Sequence, residues 1–299
     1  MKPLEGILPA VVTPLDDQGR FCPAAFERLL EALYGSGVHG IYVCGNTGEG
    51  LAQSAAQRMQ VAEAAVRCSP KDKLVIIHVG AHELDDAVKL ARHAERIGAS
   101  AISSLPPLKG STAADVTSYY RSLTSAASLP FLLYYFPGMS PVIAEGNLAF
   151  DLLALPNVAG LKFTDFDLYR LGLLRRRGAV VFNGRDEVLA AGLLMGANGG
   201  IGSFYNVAPE LFLMVYRLGR EGRWEEARPI QTQINELVEI GLRFPLLSAT
   251  KRMLAWSGLD CGRCVPGSPE MTARQESELR AALAASSLAG QSFTGLRIS

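Results

Sequence analysis

The sequence lacks the features that would assign it at once to several large classes of protein. Lys plus Arg and Asp plus Glu both number 29 in 299 residues, so the formal net charge is zero. Because neither sign is in excess, we expect no nucleic-acid partner and no membrane partner. No run of eighteen apolar residues occurs, and residues 1–5 lack the charged-then-apolar layout of a signal peptide. We therefore expect a cytoplasmic protein.

Cysteine and histidine are scarce and scattered. The five cysteines are an odd number without the spacing of a secreted disulfide framework, so reduced thiols are expected. Cys261 and Cys264 have metal-like spacing, but neither a second pair nor a histidine cluster accompanies them, and zinc needs about four ligands. His78 lies in an apolar run, where a hydrogen-bonded core histidine is favoured over a metal ligand or a base. The sequence thus predicts no metal site.

What the sequence does contain is an alternation of apolar, strand-like runs with helical patterns. A chain of 299 residues with 48% hydrophobic content is long for one ordinary domain but normal for an α/β barrel. Strands are predicted at residues 6–13, 40–44, 74–79, 99–105, 131–136, 158–163, 180–183 and 200–204. Helices between them are predicted at residues 24–34, 55–67, 85–97 and 115–127. Eight such units predict an α/β fold, a (β/α)8 TIM barrel.

The pattern changes after the eighth predicted strand. Residues 209–218, 224–242, 246–257 and 270–285 have helical periodicity, and no strand is predicted between them. We therefore expect a catalytic barrel over residues 1–222 and a C-terminal helical extension over residues 223–299. The tail, residues 286–299, is rich in Ser and Gly and is expected to fray.

Lys162 interrupts the apolar run of the sixth strand. Burial of an ammonium is costly, and desolvation favours the neutral amine, which can attack a carbonyl and form a Schiff base. The alternative is that Lys162 lies at the strand end and reaches solvent, or pairs with Asp165 or Asp167.

Polar residues follow the second strand, at the end where a parallel barrel carries its active site. Residues 45–50 read GNTGEG, and closely spaced glycines allow backbone amides to converge on a carboxylate or phosphate. Asn46 and Thr47 add side-chain donors. A plain tight turn is the alternative, since the spacing matches neither a phosphate-binding loop nor a dinucleotide fingerprint.

Strands five to seven end in further polar residues. Tyr134 and Tyr135 end strand five, and Thr164 lies two residues beyond the lysine of strand six. A phenol beside a reactive lysine can shuttle a proton, although at least one of these tyrosines must be an ordinary strand aromatic. Asp186 and Glu187 follow strand seven, either as charges at a helix N-terminus or as groups that bind polyol hydroxyls.

Together these motifs resemble the N-acetylneuraminate lyase and dihydrodipicolinate synthase superfamily of pyruvate-dependent class I aldolases, over nearly the whole chain. The resemblance is carried by residues 45–49 (GNTGE), by Tyr134 with Pro137, by residues 160–164 (GLKFT) and by residues 199–203 (GGIGS). The neuraminate lyase branch is most similar, because of residues 162–164 (KFT) with 167–169 (DLY), residues 182–187 (FNGRDE) and residues 202–206 (GSFYN).

The resemblance implies a role for each matching residue. Lys162 would form the Schiff base with the ketone carbon of the substrate, and Tyr134 would relay the proton. Asn46 and Thr47 would help the loop amides to bind the carboxylate of the 2-oxo acid. Positions that contact the hydroxyls of the sugar chain in such lyases correspond to Thr164, Gly184, Asp186, Glu187 and Ser203.

The resemblance also implies a reaction of carbohydrate metabolism. A homotetramer would cleave a sialic acid such as N-acetylneuraminate to pyruvate and N-acetylmannosamine, with neither a metal nor an organic cofactor. Two alternatives remain open. One is a related pyruvate-dependent aldolase or dehydratase that acts on a shorter 2-oxo-3-deoxy sugar acid, and the other is a non-catalytic barrel that binds sugar acids.

Three positions depart from the family pattern. Asn46 replaces the hydroxyl residue that is usual in its loop, and its amide cannot take part in a hydroxyl proton relay. Residues 105–110 (LPPLKG) lack the tyrosine that many members, especially synthases, direct into a neighbouring subunit's site. Residues 138–141 (GMSP) lack the arginine with which synthases bind a semialdehyde carboxylate. The last departure argues against dihydrodipicolinate synthesis.

Overall fold

The protein is a barrel of parallel strands surrounded by helices, in a computed structural model that describes residues 2–107 and 111–298. Within these residues, eight parallel strands form one sheet. They are β1 (Gly6–Pro9), β2 (Gly40–Val43), β3 (Leu74–His78), β4 (Ala101–Ser104), β5 (Phe131–Tyr135), β6 (Val158–Phe163), β7 (Val180–Asn183) and β8 (Gly199–Gly202). The predicted TIM barrel is confirmed.

The order of the strands closes the barrel. Each strand from β2 to β7 pairs with its successor, and β8 pairs with β1, with Gly6 opposite Gly199. A bridge between Ala10 and Tyr42 joins β1 to β2. Six of the predicted strands were longer than the observed ones or displaced by a residue, because backbone pairing ends before the apolar run does. The bounds of β6 and β7 are as predicted.

Helices connect the strands and bury their apolar faces against the sheet. They are α1 (Pro23–Gly35), α2 (Ala55–Cys68), α3 (Leu84–Arg96), α4 (Ala113–Ala126), α5 (Leu148–Leu152), α6 (Leu168–Arg176), α7 (Leu189–Leu194) and α8 (Pro209–Arg220). Ser54 caps α2 by accepting a hydrogen bond from the backbone N–H of Gln57. The Gln57 side-chain amide donates to the Gly19 carbonyl at 3.1 Å.

Two apolar clusters make up the core. The larger lies between the sheet and the helices and includes Leu29 and Leu33 of α1. The smaller fills the inside of the barrel with side chains such as Leu8, Tyr42 and Phe182, all fully buried. Because the interior is filled, the barrel is a packed support for its C-terminal end and not a channel.

Three helices follow the barrel, as predicted, namely α9 (Trp224–Gly241), α10 (Leu246–Trp256) and α11 (Ala273–Ala284). The expectation that the tail frays is wrong. It forms a hairpin of β9 (Ser292–Phe293) and β10 (Leu296–Arg297), in which Leu296 is fully buried. The composition of the tail was misleading because a few of its apolar side chains are buried against the rest of the protein and keep the segment ordered. Across the described residues, no helix is both long enough and apolar enough to cross a membrane.

Candidate active site

A cavity of about 310 Å³ lies at the C-terminal ends of the strands. Its walls come from the residues after β2, β5, β6, β7 and β8, and two helices beyond the barrel, α9 and α10, also contribute. The structure brings all the predicted site residues to this one cavity: Asn46, Thr47, Tyr134, Lys162, Thr164, Gly184, Asp186, Glu187 and Ser203.

Lys162 lies on the cavity wall with only 4% of its surface exposed. It is opposite Tyr134 in the β5–β6 ladder, and its Nζ donates a hydrogen bond to the Tyr134 hydroxyl at 3.0 Å. The alternative interpretation of this lysine is wrong, since among the described residues Lys162 pairs with neither Asp165 nor Asp167. Asp167 instead caps α6 by accepting from the Arg170 backbone N–H. A buried amine next to a phenol is therefore available to a substrate.

Two aromatic rings surround the amine. Nζ of Lys162 lies 4.2 Å from the ring centroid of Tyr134 and 4.6 Å from that of Tyr42, which is fully buried. The Tyr42 hydroxyl donates to Ser103 Oγ at 3.2 Å. The faces of these rings attract positive charge, so they would stabilise an iminium formed at this position. Sequence reasoning missed Tyr42, because within an apolar strand it is indistinguishable from core packing.

His78 is a core histidine, as expected. Its Nε2 accepts a hydrogen bond from the Leu105 backbone N–H at 3.0 Å. Burial, and then the charges of Arg58 and Lys162, lower the pKa of His78 well below its ordinary value. The ring is therefore neutral at physiological pH and adds no second positive charge near the lysine.

Tyr134 and Tyr135 have different environments. Tyr134 lines the cavity, whereas the Tyr135 ring stacks on Phe163 with a centroid distance of 4.6 Å. The Tyr135 hydroxyl accepts from the Arg170 guanidinium at 3.2 Å. One of the two tyrosines is thus an ordinary strand aromatic, which confirms that part of the prediction.

The loop after β2 forms the neighbouring wall. The hydroxyls of Thr47 and Ser203 are 2.7 Å apart and join this loop to the end of β8. Asn46 Nδ2 donates to Met139 Sδ at 2.8 Å. Gly50 is required here, because a Cβ at this position would lie 1.8 Å from the Cys44 carbonyl oxygen. The loop is thus tightly folded, and it presents Asn46 and Thr47 to the cavity.

The same loop is fixed by a buried ion pair. Glu49 has a left-handed backbone, with φ of 54°. Its Oε1 accepts a hydrogen bond from Lys251 Nζ at 2.9 Å, and both side chains are 2% exposed. Glu49 Oε2 accepts from the Val265 backbone N–H at 2.7 Å. A segment that follows the barrel therefore holds the loop in position.

Thr164 has an unused hydrogen-bonding group on the cavity wall. Its Oγ1 is buried and has no hydrogen-bond partner among the described residues. Gly184 packs against it so closely that a Cβ there would lie 2.2 Å from this oxygen. The threonine hydroxyl is therefore positioned for a ligand, because buried polar atoms normally have a partner.

Asp186 and Glu187 lie in a short 3₁₀ turn, Asp186–Val188, and both line the cavity. Asp186 is 6% exposed, and its Oδ2 accepts from the Phe204 backbone N–H at 2.9 Å. Burial raises the pKa of Asp186 to about 7, and the charge of Glu187 also raises it, while the Phe204 hydrogen bond opposes the shift. Near neutral pH this carboxyl group can therefore donate as well as accept.

Several lining residues were not predicted. Arg185 and Phe136 are beside predicted residues in the sequence, whereas the roof residues Val238, Leu242, Leu246 and Leu247 lie on or next to α9 and α10. No signal in the sequence connects those helices to the strand ends.

Residues 105–110 are the segment that lacks the tyrosine found in many family members. Of these, residues 108–110 lie outside the described residues. In the described part of the chain, no three His, Cys, Asp or Glu side chains form a group that could hold a metal ion.

Comparison with known proteins gives a family and close relatives. Residues 3–286 match the family described as the dihydrodipicolinate synthetase family. The N-acetylneuraminate lyase of Rhizobium meliloti is 32% identical over 262 residues, which cover 87% of this chain and 87% of that protein. The N-acetylneuraminate lyase of Citrobacter koseri is 34% identical over 257 residues, which cover 85% and 86%.

Solved structures of similar proteins have the same architecture. A catalytic-lysine mutant of the Ruminococcus gnavus sialic acid aldolase superposes with a TM-score of 0.89 at 27% identity, covering 94% of this chain and 96% of that one. The Proteus mirabilis N-acetylneuraminate lyase gives a TM-score of 0.87 at 29% identity, covering 94% and 98%.

Proposed function

The chain belongs to the dihydrodipicolinate synthetase family, and we propose that it is a Schiff-base (class I) aldolase that cleaves a sialic acid such as N-acetylneuraminate to pyruvate and N-acetylmannosamine. One observation carries the proposal. The amine of Lys162 is buried, hydrogen-bonded to the Tyr134 phenol at 3.0 Å, and open to the cavity. The relatives named as lyases and sialic acid aldolases support the same carbon-carbon lyase chemistry.

Binding begins at the loop after β2. Asn46, Thr47 and the loop amides would bind the substrate carboxylate, which directs the 2-oxo carbon toward Lys162. The hydrogen bond between Thr47 and Ser203 supports this geometry, because it fixes the loop against the end of β8. The other predicted residues, Thr164, Gly184, Asp186 and Glu187, would contact the hydroxyls of the sugar chain.

The reaction needs only groups that the cavity contains and water. Lys162 Nζ attacks the C2 carbonyl, and loss of water gives an iminium ion. The Tyr134 phenol protonates the oxygen that leaves as water and becomes a phenolate. This phenolate then accepts the proton of the C4 hydroxyl, and the C3–C4 bond breaks with its electrons moving into the iminium. The aldehyde leaves, C3 of the resulting enamine is protonated, and water hydrolyses the iminium to pyruvate and free lysine.

We propose further that the enzyme works in the cytoplasm as a homotetramer, with neither nucleic-acid nor membrane partners. The zero formal net charge and the family resemblance support this view. Tyr169 and Leu194, which are 72% and 62% exposed in the single chain, are available to an interface between subunits. Light scattering coupled to gel filtration measures the subunit number.

Borohydride trapping tests the proposed chemistry. Incubation with pyruvate and borohydride should add a reduced pyruvate to Lys162, detected by intact mass and peptide mapping. Lys162→Ala and Lys162→Arg should abolish both trapping and turnover, since the guanidinium of arginine does not supply a neutral amine. Appreciable activity in Lys162→Arg would refute the Schiff base.

A pyruvate-release screen tests the substrate. N-acetylneuraminate should be cleaved faster than six-carbon 2-oxo-3-deoxy acids, because the longer chain reaches the polar wall around Asp186 and Glu187. Cleavage of the six-carbon acids alone would replace the sialic acid lyase with an aldolase for shorter sugar acids. Binding of sugar acids without any turnover would favour the non-catalytic barrel.

A further inference from the structure

Arg185 is a charged residue of the cavity to which the mechanism above assigns no role. It follows β7, directly beyond Gly184, and lines the same cavity as Lys162. Its Nε is buried and has no hydrogen-bond partner among the described residues. Nor does its guanidinium form an ion pair with any carboxylate in the described ranges.

Two aromatic rings hold this guanidinium. Its central carbon lies 4.6 Å from the ring centroid of Phe166 and 5.4 Å from that of Phe136, which also lines the cavity. The backbone is fixed as well, because the Arg185 carbonyl accepts from Asn183 Nδ2 at 2.6 Å. Stacking leaves the in-plane N–H donors of the guanidinium unoccupied.

The adjacent carboxylates do not neutralise Arg185. Asp186 directs Oδ2 to the Phe204 backbone N–H, and Glu187 makes no ion pair within the described residues. Other arginines of this chain find acceptors for their terminal nitrogens: Arg58, whose Nε is also unpartnered, donates to the Gly80 carbonyl, and Arg170 donates to the Ala144 carbonyl. Arg185 thus differs in lining the cavity without any acceptor, among the described residues, for its side-chain donors.

We infer that Arg185 determines specificity by binding an anionic group, a carboxylate or a phosphate, on the aldehyde half of the substrate. The inference rests on the proposed aldolase function and adds to its substrates, beside N-acetylneuraminate with its single carboxylate, sugar acids that carry a second negative charge. The carboxylate of the pyruvate half has its own site at the loop after β2. Arg185 follows β7, the strand beside the lysine strand β6, and lies among the residues proposed to contact the sugar chain.

Condensation of pyruvate with matched aldehydes tests the inference. Mannose, mannuronate and mannose 6-phosphate offer a neutral, a carboxylate and a phosphate form of one sugar. In the wild type, kcat/KM should be higher for at least one anionic sugar than for mannose. A preference for mannuronate would identify the bound group as a carboxylate, and a preference for mannose 6-phosphate would identify it as a phosphate.

Substitution of the arginine should remove that preference. Arg185→Gln should lower kcat/KM for the preferred anionic sugar about 10- to 100-fold, the scale of a lost charge-assisted hydrogen bond, chiefly through KM. Arg185→Lys should retain part of the preference, because it keeps the charge but not the planar fork. The KM of pyruvate should be unchanged.

A matched control variant is Arg177→Gln. The Arg177 guanidinium also stacks on an aromatic ring, 4.0 Å from the Phe150 centroid, but Arg177 does not line the cavity. This variant should keep the wild-type preference. An equal response of the three sugars to Arg185→Gln, or no anionic preference in the wild type, would overturn the inference.

Pyruvate trapping separates this result from failure of the proposed function. If borohydride fixes pyruvate on Lys162 in both the wild type and Arg185→Gln, the Schiff-base site is intact in both. A difference between their kinetics then reports only the role of Arg185 in aldehyde preference. If the wild type traps no pyruvate, the aldolase function itself fails, and the role of Arg185 falls with it.

Discussion

Tyr134 and Tyr135 are consecutive residues of β5, yet they lie on opposite faces of the barrel because side chains alternate along a strand. The Tyr134 hydroxyl accepts from Lys162 in the cavity, whereas Tyr135 is stacked on Phe163 and held by Arg170. The pair therefore offers a matched comparison, in which the hydroxyl oxygen is removed from the proposed proton relay in one variant and from a structural tyrosine in the other.

Tyr134→Phe should lower kcat about a hundredfold or more, the usual scale for a general acid or base, while pyruvate trapping on Lys162 decreases less. Tyr135→Phe should change kcat little. Steady-state kinetics of pyruvate release measures both variants. An unchanged kcat in Tyr134→Phe would place the proton relay elsewhere, for example at a bound water.

At the scale of elements, the ion pair between Glu49 and Lys251 connects the loop after β2 to α10. The two residues are 202 positions apart in the chain, and water does not screen their charges because both are buried. Lys251 Nζ also donates to the Arg263 carbonyl. The loop proposed to bind carboxylate therefore depends on a helix outside the barrel.

Lys251→Met should lower the free energy of unfolding by about 3–5 kcal/mol, because it leaves the Glu49 carboxylate buried without its partner. The double variant Lys251→Met/Glu49→Gln should recover part of this loss. Urea unfolding measures the stability, and the KM of the 2-oxo acid should rise in Lys251→Met as the loop loses its anchor.

An exposed pair provides the control for this prediction. Arg243 and Glu239 are 2.6 Å apart, with 55% and 72% of their side chains exposed. Solvent screens this pair, so Arg243→Met should change the free energy of unfolding by at most about 0.5 kcal/mol. If Arg243→Met and Lys251→Met lowered the free energy of unfolding by similar amounts, burial would not make the Glu49–Lys251 pair more stabilising than an exposed pair.

At the scale of the whole molecule, the C-terminal hairpin is part of the packed structure. Leu288 and Leu296 are fully buried, and the Thr294 backbone N–H donates to Glu210 Oε1 at 2.9 Å. The Gly295 N–H donates to the Val207 carbonyl at 2.9 Å, beside the end of β8. The last residues of the chain thus support the part of the barrel that carries Ser203.

Leu296→Ala should lower the free energy of unfolding by about 2–5 kcal/mol, the range for removing a fully buried leucine side chain. Arg297→Ala, at the exposed neighbouring position, should have little effect. Urea unfolding of the two variants gives the comparison. If Leu296→Ala were as stable as Arg297→Ala, the tail would fray as its composition suggests.

The sequence by itself determined the barrel and the end of the barrel at which the candidate site lies. Eight apolar runs alternate with helical segments, a pattern that parallel strands buried on both faces produce. Since all strands of a parallel barrel end on one side, polar residues just after each run must converge there. Lys162 was identifiable because an ionisable side chain is costly to bury inside an apolar strand.

Only the tertiary structure decided how those residues are surrounded. The ring of Tyr42 beneath Lys162, the raised pKa of Asp186 and the unsatisfied guanidinium of Arg185 depend on contacts between separate strands and loops. The roof from α9 and α10 and the pairing of Glu49 with Lys251 join segments far apart in the chain. Periodicity reports the environment of a residue along its own element, whereas burial, hydrogen bonding and charge depend on which other elements pack against it.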